Sequence, residues 1–212
     1  MSASRVDIQQ VHFRLRRDYK YLKVNVIPRL ERLYNDRRKN NHVSERSFYS
    51  RMYPVKSATG NNWLLFLQKS QLVKRYIDQK SIAILAVTYH YCEKGINAFY
   101  LDEKGRIVGF NAHFFDRYNE RMNLNLQHPL DIVKAFFKGG ALCLRGTIGR
   151  GERKQPIALR TDGFQLGEYH IKDGYMEWRT FISKDIARPG QQRIAGKLMN
   201  QHQANLNKVL SS

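Results

Sequence analysis

With 212 residues, 42% of them hydrophobic and 12% aromatic, the chain can bury a real core, which excludes a disordered protein and suits one domain plus an extension or two small domains. Its 37 Lys and Arg against 18 Asp and Glu leave a net charge of +19, an excess whose usual reason is a polyanionic partner, nucleic acid first. Two distant cysteines, Cys92 and Cys143, exclude a cysteine zinc site and argue against a disulfide scaffold, and no apolar run approaches a membrane span or secretion signal. The expectation is therefore a cytoplasmic protein with both thiols buried in their apolar runs and no membrane partner.

Residues 1–56 read as a basic helical extension, in which Val11, Phe13, Leu15 and then Tyr19, Leu22, Val26, Ile27, Leu30 and Leu33 give an approximate helical stripe. Pro28 is expected to kink or restart that helix. Arg37, Arg38 and Lys39 look like a basic loop. Arg46, Phe48, Tyr49, Arg51 and Tyr53 interleave cations with aromatics, a mixture suited to phosphate contacts and base stacking. The remaining 57–212 read as an α+β core domain, an antiparallel sheet packed against helices.

Within that core, Ala58–Asn62 is a turn, Trp63–Leu67 a strand and Ser70–Asp78 a short helix. Within Ser81–Asn97, the run Ile82–Cys92 is rich in β-branched and apolar residues and predicts a strand. Glu93-Lys94-Gly95 and Asp102–Gly105 are turns of a meander that leads into the stretch Phe110–Met122. There Asn111 is the expected N-cap. His113, Arg117 and Arg121 recur every fourth residue on one face, with Phe114, Phe115, Tyr118 and Met122 on another. Pro129–Lys138 predicts a second amphipathic helix stopped by Gly139-Gly140. Residues 146–155 read as a Gly-rich basic loop carrying Arg150, Arg153 and Lys154, without a P-loop or dinucleotide fingerprint. Strands follow over Ile157–Thr161, Phe164–Ile171 and Tyr175–Ser183, with turns at Asp162-Gly163 and Asp173-Gly174, and the tail from Gln191 to about Leu210 is a polar helix.

The sequence has no HExxH, no paired histidines at ligand spacing, no carboxylate cluster and no GxSxG, so no metal or cofactor is expected. What remains is histidine, arginine, tyrosine and hydroxyl chemistry. Cleavage of RNA by its own 2′-hydroxyl needs a base, an acid and donors for the charged phosphorane. His113 is one candidate acid or base, with Arg117 and Arg121 to hold the phosphate. Glu168 and His170, two residues apart on a strand, are a rival pair. Strict alternation over Arg179–Ser183 places Arg179 and Ser183 on one face and Thr180 on the other.

The pattern His113-x₃-Arg117-x₂-Glu120-Arg121, the following Asp131-Ile132-Val133 helix and the strand Arg179-Thr180-Phe181-Ile182-Ser183 resemble the barnase–colicin–RelE superfamily of ribonuclease toxins, over about residues 80–186. The resemblance implies a helix packed on an antiparallel sheet, metal-independent RNA cleavage, and His113, Arg117, Arg121, Arg179 and Thr180 as site residues. Met122 stands where the common pattern of that family has glycine, and the long basic N-terminal part has no place in the minimal toxin. A toxin implies an acidic neutralising protein partner. The expected function is a nucleic-acid-acting protein, an endoribonuclease with RNA favoured over DNA. Its alternatives are a non-catalytic RNA- or DNA-binding protein and an adaptor of a mobile genetic element. The choice between His113 and His170 as working histidine is left to geometry.

Overall fold

A computed structural model describes residues 8–40, 52–69, 82–102, 104–139, 144–148 and 154–210. The fold is α+β, a nine-stranded sheet with helices. The chain divides into two compact units, Met1–His90 with Ala98–Ile107 and Tyr91–Asn97 with Val108–Ser212. The expected helix over Ser70–Asp78, Arg46, Arg51, Cys143, Arg150 and Arg153 lie outside the described residues.

The first unit opens with α1 (Ile8–Tyr21), a π-helical turn (Leu22–Val26) and α2 (Ile27–Asn40). Tyr21 and Ile27 are both right-handed helical, so the three run on without a break. The disturbance expected at Pro28 appears just before it, where the Ile27 amide reaches five residues back to Leu22. Pro28 follows as the second residue of α2 and, lacking an N–H, donates no bond back into the π-turn. Arg37, Arg38 and Lys39, expected in a loop, continue the α2 helix.

Met52–Lys56, expected as the end of the helical extension, is instead strand β1, paired antiparallel with β2 (Asn62–Lys69). β3 (Ile82–Cys92) pairs with β2 so that Trp63 faces Thr88 and Phe66 faces Leu85, and β4 (Gly95–Leu101) lies beyond it. Four consecutive β2 residues, Trp63, Leu64, Leu65 and Phe66, are buried, so both faces of that strand are covered. The β1–β2 turn closes with Ser57 N–H on the Asn61 carbonyl at 2.9 Å and Gly60 at φ +85°, a conformation glycine adopts without steric cost.

In the second unit, β5 (Ile107–Phe110) runs into α3 (Ala112–Arg121), followed by α4 (Pro129–Lys138). Asn111 caps α3 as expected, its side-chain oxygen accepting from Phe114 N–H at 2.9 Å. Phe114, Phe115 and Tyr118 of α3 interlock edge-to-face with Phe136 of α4, and Phe114 and Tyr118 also meet Phe181 of β9. Each buried ring contributes about 1.5–3 kcal/mol of transfer free energy. Strands β5, β9 (Tyr175–Ser183), β8 (Gly163–His170), β7 (Gln155–Leu159) and β6 (Leu144–Ile148) lie side by side in that order. Leu198 of α5 (Pro189–Leu210) packs with Ile157, Leu159 and Phe164, so α5 covers these strands.

Two expectations are corrected in this unit. Gly146–Ile148, expected in a basic loop, belongs to β6, and a Cβ on Gly146 would come within 2.6 Å of Leu198, so this glycine serves helix–sheet packing. Cys92, expected buried, is exposed, because the buried part of β3 ends before it and Tyr91 to Lys94 all face solvent.

Candidate nucleic-acid interface

Asp18 is the only acidic residue between Ile8 and Leu30, a span that carries Arg14, Arg16, Arg17, Lys20, Lys23 and Arg29. It is only 2% exposed. Its carboxylate accepts from Ser57 Oγ (2.7 Å), Thr59 Oγ1 (2.7 and 2.8 Å), Asn61 Nδ2 (2.7 Å) and Trp63 Nε1 (3.3 Å). Burial alone would raise its pKa, but the hydrogen bonds from Asn61, Thr59, Ser57 and Trp63 hold the carboxyl below the ordinary aspartate range. The β1–β2 turn thus clamps α1 by its one acid, with Leu15 and Leu22 buried alongside.

The consequence for the opposite side follows from helical geometry. At about 100° per residue, Phe13, Arg17, Lys20, Tyr21 and Val24 fall on the arc away from Leu15, Asp18 and Leu22. All five are exposed, Phe13 among them although it falls in the expected apolar stripe, because the buried side is taken by Leu15 and Leu22; Leu33 of α2, from the same stripe, is exposed too. The Arg17 guanidinium lies 5.9 Å from the Phe13 ring centroid. Arg14 and Arg16 flank the arc, and Arg16 also donates to the Gly105 carbonyl at 3.3 Å. Burial, and then the Arg14 charge, lower the pKa of His90.

The second unit distributes the expected catalytic residues over several settings. His113 is exposed in the first turn of α3. Arg117 pairs with Glu120 on the same helix at 2.7 Å, and both are well exposed. Arg121 reaches β9, donating to Thr180 Oγ1 at 3.4 Å and to the Phe181 carbonyl. The helix motif is therefore split between a surface ion pair and a brace to the sheet.

The rival pair is drawn into a cluster on the β8–β9 hairpin. Arg179 donates to Glu168 and lies 3.5 Å from Glu177. His170 Nε2 is buried 3.6 Å from Glu177 Oε2, and the imidazole stacks on Tyr175 with centroids 4.3 Å apart and planes 5° from parallel. Burial, followed by the charges of Glu177 and Asp173, pushes the Tyr175 phenol up to about 12.

Strict alternation fails at Arg179. Leu166 pairs with Thr180 and Gly167 with Trp178, so a bulge leaves Arg179 as the extra residue of β9. Glu168 lies two residues along β8 from Leu166, the partner of Thr180, so an Arg179 that reaches Glu168 has joined the Thr180 face. Sequence reasoning omitted Tyr175 and Glu177, although the Asp173-Gly174 turn carries the signal: it sets His170 opposite Tyr175 and Glu168 opposite Glu177.

No family model, curated protein or solved structure matches this chain. The residues themselves carry the functional argument.

A buried polar group braces the second unit. Arg160, 6% exposed, donates to both Asp162 oxygens (2.9 and 3.0 Å) and to the Phe136 carbonyl (3.0 Å), with its guanidinium 4.1 Å from the Phe136 ring centroid. Tyr118 donates to the same Asp162 at 3.3 Å. Gly139 leaves room for this arginine, since a Cβ there would stand 3.2 Å from Nη2. A cavity of about 440 Å³ lies beside it, between Leu159 and Phe164 and the α5 residues Gln192, Ala195, Gly196 and Met199. Lys154, from the expected nucleic-acid set, is exposed before β7. Among the described residues no three His, Cys, Asp or Glu side chains converge as a metal-ligand set, and no helix is long and apolar enough to cross a membrane.

Proposed function

We propose that the protein binds nucleic acid, RNA ahead of DNA, through the outer face of α1. One observation carries this reading: the single acid of the segment is turned inward and held by four partner residues, while its cations face outward. A helix face of that kind adds a local field to the +19 of the whole chain and attracts phosphates over several ångströms. The expected result is RNA binding whose log affinity falls linearly with log salt. Replacing Arg17 or Lys20 by Gln should each reduce that slope by about 0.7–0.9. Failure to bind any nucleic acid at low salt overturns the reading and favours an adaptor whose charge keeps it in solution.

A second reading adds cleavage, that of a toxin-type endoribonuclease working in the cytoplasm and held in check by an acidic partner. The Glu168–His170–Tyr175–Glu177–Arg179 cluster favours it, because it gathers a carboxylate base, an imidazole and a guanidinium on one hairpin. In this reading one of Glu168 and His170 takes the 2′-hydroxyl proton as the 2′-oxygen bonds to phosphorus, and the other, protonated, gives its proton to the 5′-oxygen as that oxygen leaves phosphorus. Arg179 leaves its carboxylates for the phosphorane, and Arg121 and Thr180 brace β9. Cleavage in EDTA that leaves a 2′,3′-cyclic phosphate, and its loss in His170→Ala, is the expected result. An RNA left intact at every pH from 5 to 9 removes this reading and leaves the binding one standing.

A further inference from the structure

Resting on the binding face just described, we propose that α1 is a stacking platform for single-stranded RNA, with bases on Phe13 and Tyr21 and backbone phosphate on Arg17 between them. Phe13 is 67% exposed, Tyr21 46% and Val24 65%. Large apolar side chains on a helix normally turn to the core, and here that role belongs to Leu15 and Leu22, which are 2% and 0% exposed. Among the described residues the outward rings stay largely exposed while Leu15 and Leu22 fill the core. They alternate with cations at helical spacing: Phe13, Arg17 and Tyr21 are each four apart, with Lys20 beside them.

The spacing selects the form of the ligand. Eight residues of α-helix separate Phe13 from Tyr21 by about 12 Å. A stacked strand advances by only about 3.4 Å per nucleotide, so the two rings serve bases that are not neighbours in a stack. A duplex keeps its base faces covered and presents only phosphates and groove edges to a helix side. A single strand can splay its bases onto exposed rings and set the intervening phosphates against a guanidinium. Because every base has a π-face, such a platform reads strandedness more than sequence.

A membrane surface is the competing polyanion. An interfacial helix inserts a continuous apolar face opposite its charged one. In α1 and the turn that follows it, the apolar side of Leu15 and Leu22 is closed off within its own unit, and the outward rings are interrupted by Arg17 and Lys20. Single-stranded RNA is the partner that uses rings and cations side by side.

The test is fluorescence anisotropy of the full chain with a twelve-nucleotide oligouridylate, a duplex of the same length and vesicles containing phosphatidylserine. Phe13→Leu and Tyr21→Leu keep apolar bulk and remove the π-face. Each is expected to weaken single-strand binding about tenfold with the salt slope unchanged. Tyr21→Phe is expected to keep the affinity, and Arg17→Gln to lower both affinity and slope. Since these side chains are exposed, thermal unfolding should stay at the wild-type midpoint. Equal binding of duplex and single strand, with the Leu variants silent and the Arg17 and Lys20 variants weakened, overturns the platform and leaves the cationic face intact. Ring-dependent vesicle binding without RNA binding overturns both in favour of a membrane. Absence of binding to all three ligands overturns both outright.

Discussion

Asp18 and Thr59 meet at both carboxylate oxygens, the threonine hydroxyl lying 2.8 Å from Oδ1 and 2.7 Å from Oδ2. This contact, with Ser57 and Asn61 on the same turn, converts the one acid of α1 into the anchor of its own helix. Asp18→Asn places an amide where four residues donate and removes the charge that strengthens each bond. The expected loss is about 1.5–3 kcal/mol of stability at pH 7 in urea titrations. Because the folded carboxyl sits below the ordinary value of 3.8, its contribution is fully present above that pH and is lost as pH falls through the lower folded value. The wild-type advantage over Asp18→Asn should hold from neutrality to about pH 4 and shrink below it. An advantage that declines already between pH 7 and 5 would assign the pH effect to another group.

Tyr118, Asp162 and Arg160 form the corresponding brace in the second unit. Arg160→Met keeps contact with Phe136 but leaves Asp162 without its guanidinium in a setting that is 15% exposed, and the expected cost is about 3–5 kcal/mol. Arg160→Lys should recover only part of it, since an ammonium cannot fork onto both Asp162 oxygens. Burial, and then the Asp162 charge, push the Tyr118 phenol up to about 12. Its protonated form is favoured in the folded protein, so the contribution is complete below pH 10 and is lost as pH rises towards 12. The stability difference between wild type and Tyr118→Phe, measured by chemical denaturation from pH 8 upward, should be constant to about pH 10 and then fall.

Glycines separate packing from propensity. Gly163 in β8 has Ile182 O at 2.2 Å and Phe181 Cζ at 2.7 Å from where a Cβ would stand. Gly163→Ala must push the β8–β9 pair apart, with an expected loss of about 1–3 kcal/mol. Gly196 on α5 has nothing within 4 Å of its added Cβ, so Gly196→Ala should raise stability by about 0.5–1 kcal/mol through helix propensity alone. Thermal midpoints moving in opposite directions for the two variants are the expected result.

Local signals made much of the architecture legible. The Asn111 cap, the Pro129 start, the Gly139 stop and the Asp173-Gly174 hairpin are written in neighbouring residues, and each stands where periodicity and turn chemistry put it. Residues whose meaning depends on distant partners were opaque. Asp18 looks like a lone acid among cations until Ser57, Thr59 and Asn61 fold onto it from about forty positions away. Arg121 shares a helical face with Arg117, yet β9 lies within reach of one and not of the other, so periodicity assigned both a role that tertiary contact divides. The Arg179 bulge is a pairing event between two strands, and no alternation within one strand can announce it.

That division of the α3 motif yields the sharpest prediction about the site. Arg121 bonds the backbone of Phe181 beside Thr180, whereas His113 is exposed in the first turn of the helix. Arg121→Ala should therefore lower stability by about 1–3 kcal/mol, because a part-buried carbonyl loses its donor and β9 its brace. His113→Ala should leave the unfolding midpoint within experimental error of wild type. If the protein cleaves RNA, His113→Ala should retain cleavage and His170→Ala, with Glu168 and Arg179 still in place, should lose it. Arg121→Lys should then restore stability and cleavage together, as expected of a residue that positions the strand. A His113→Ala protein that folds normally, binds RNA and no longer cleaves it would return the centre to the α3 face and reduce the β8–β9 cluster to a stabilising ion-pair network.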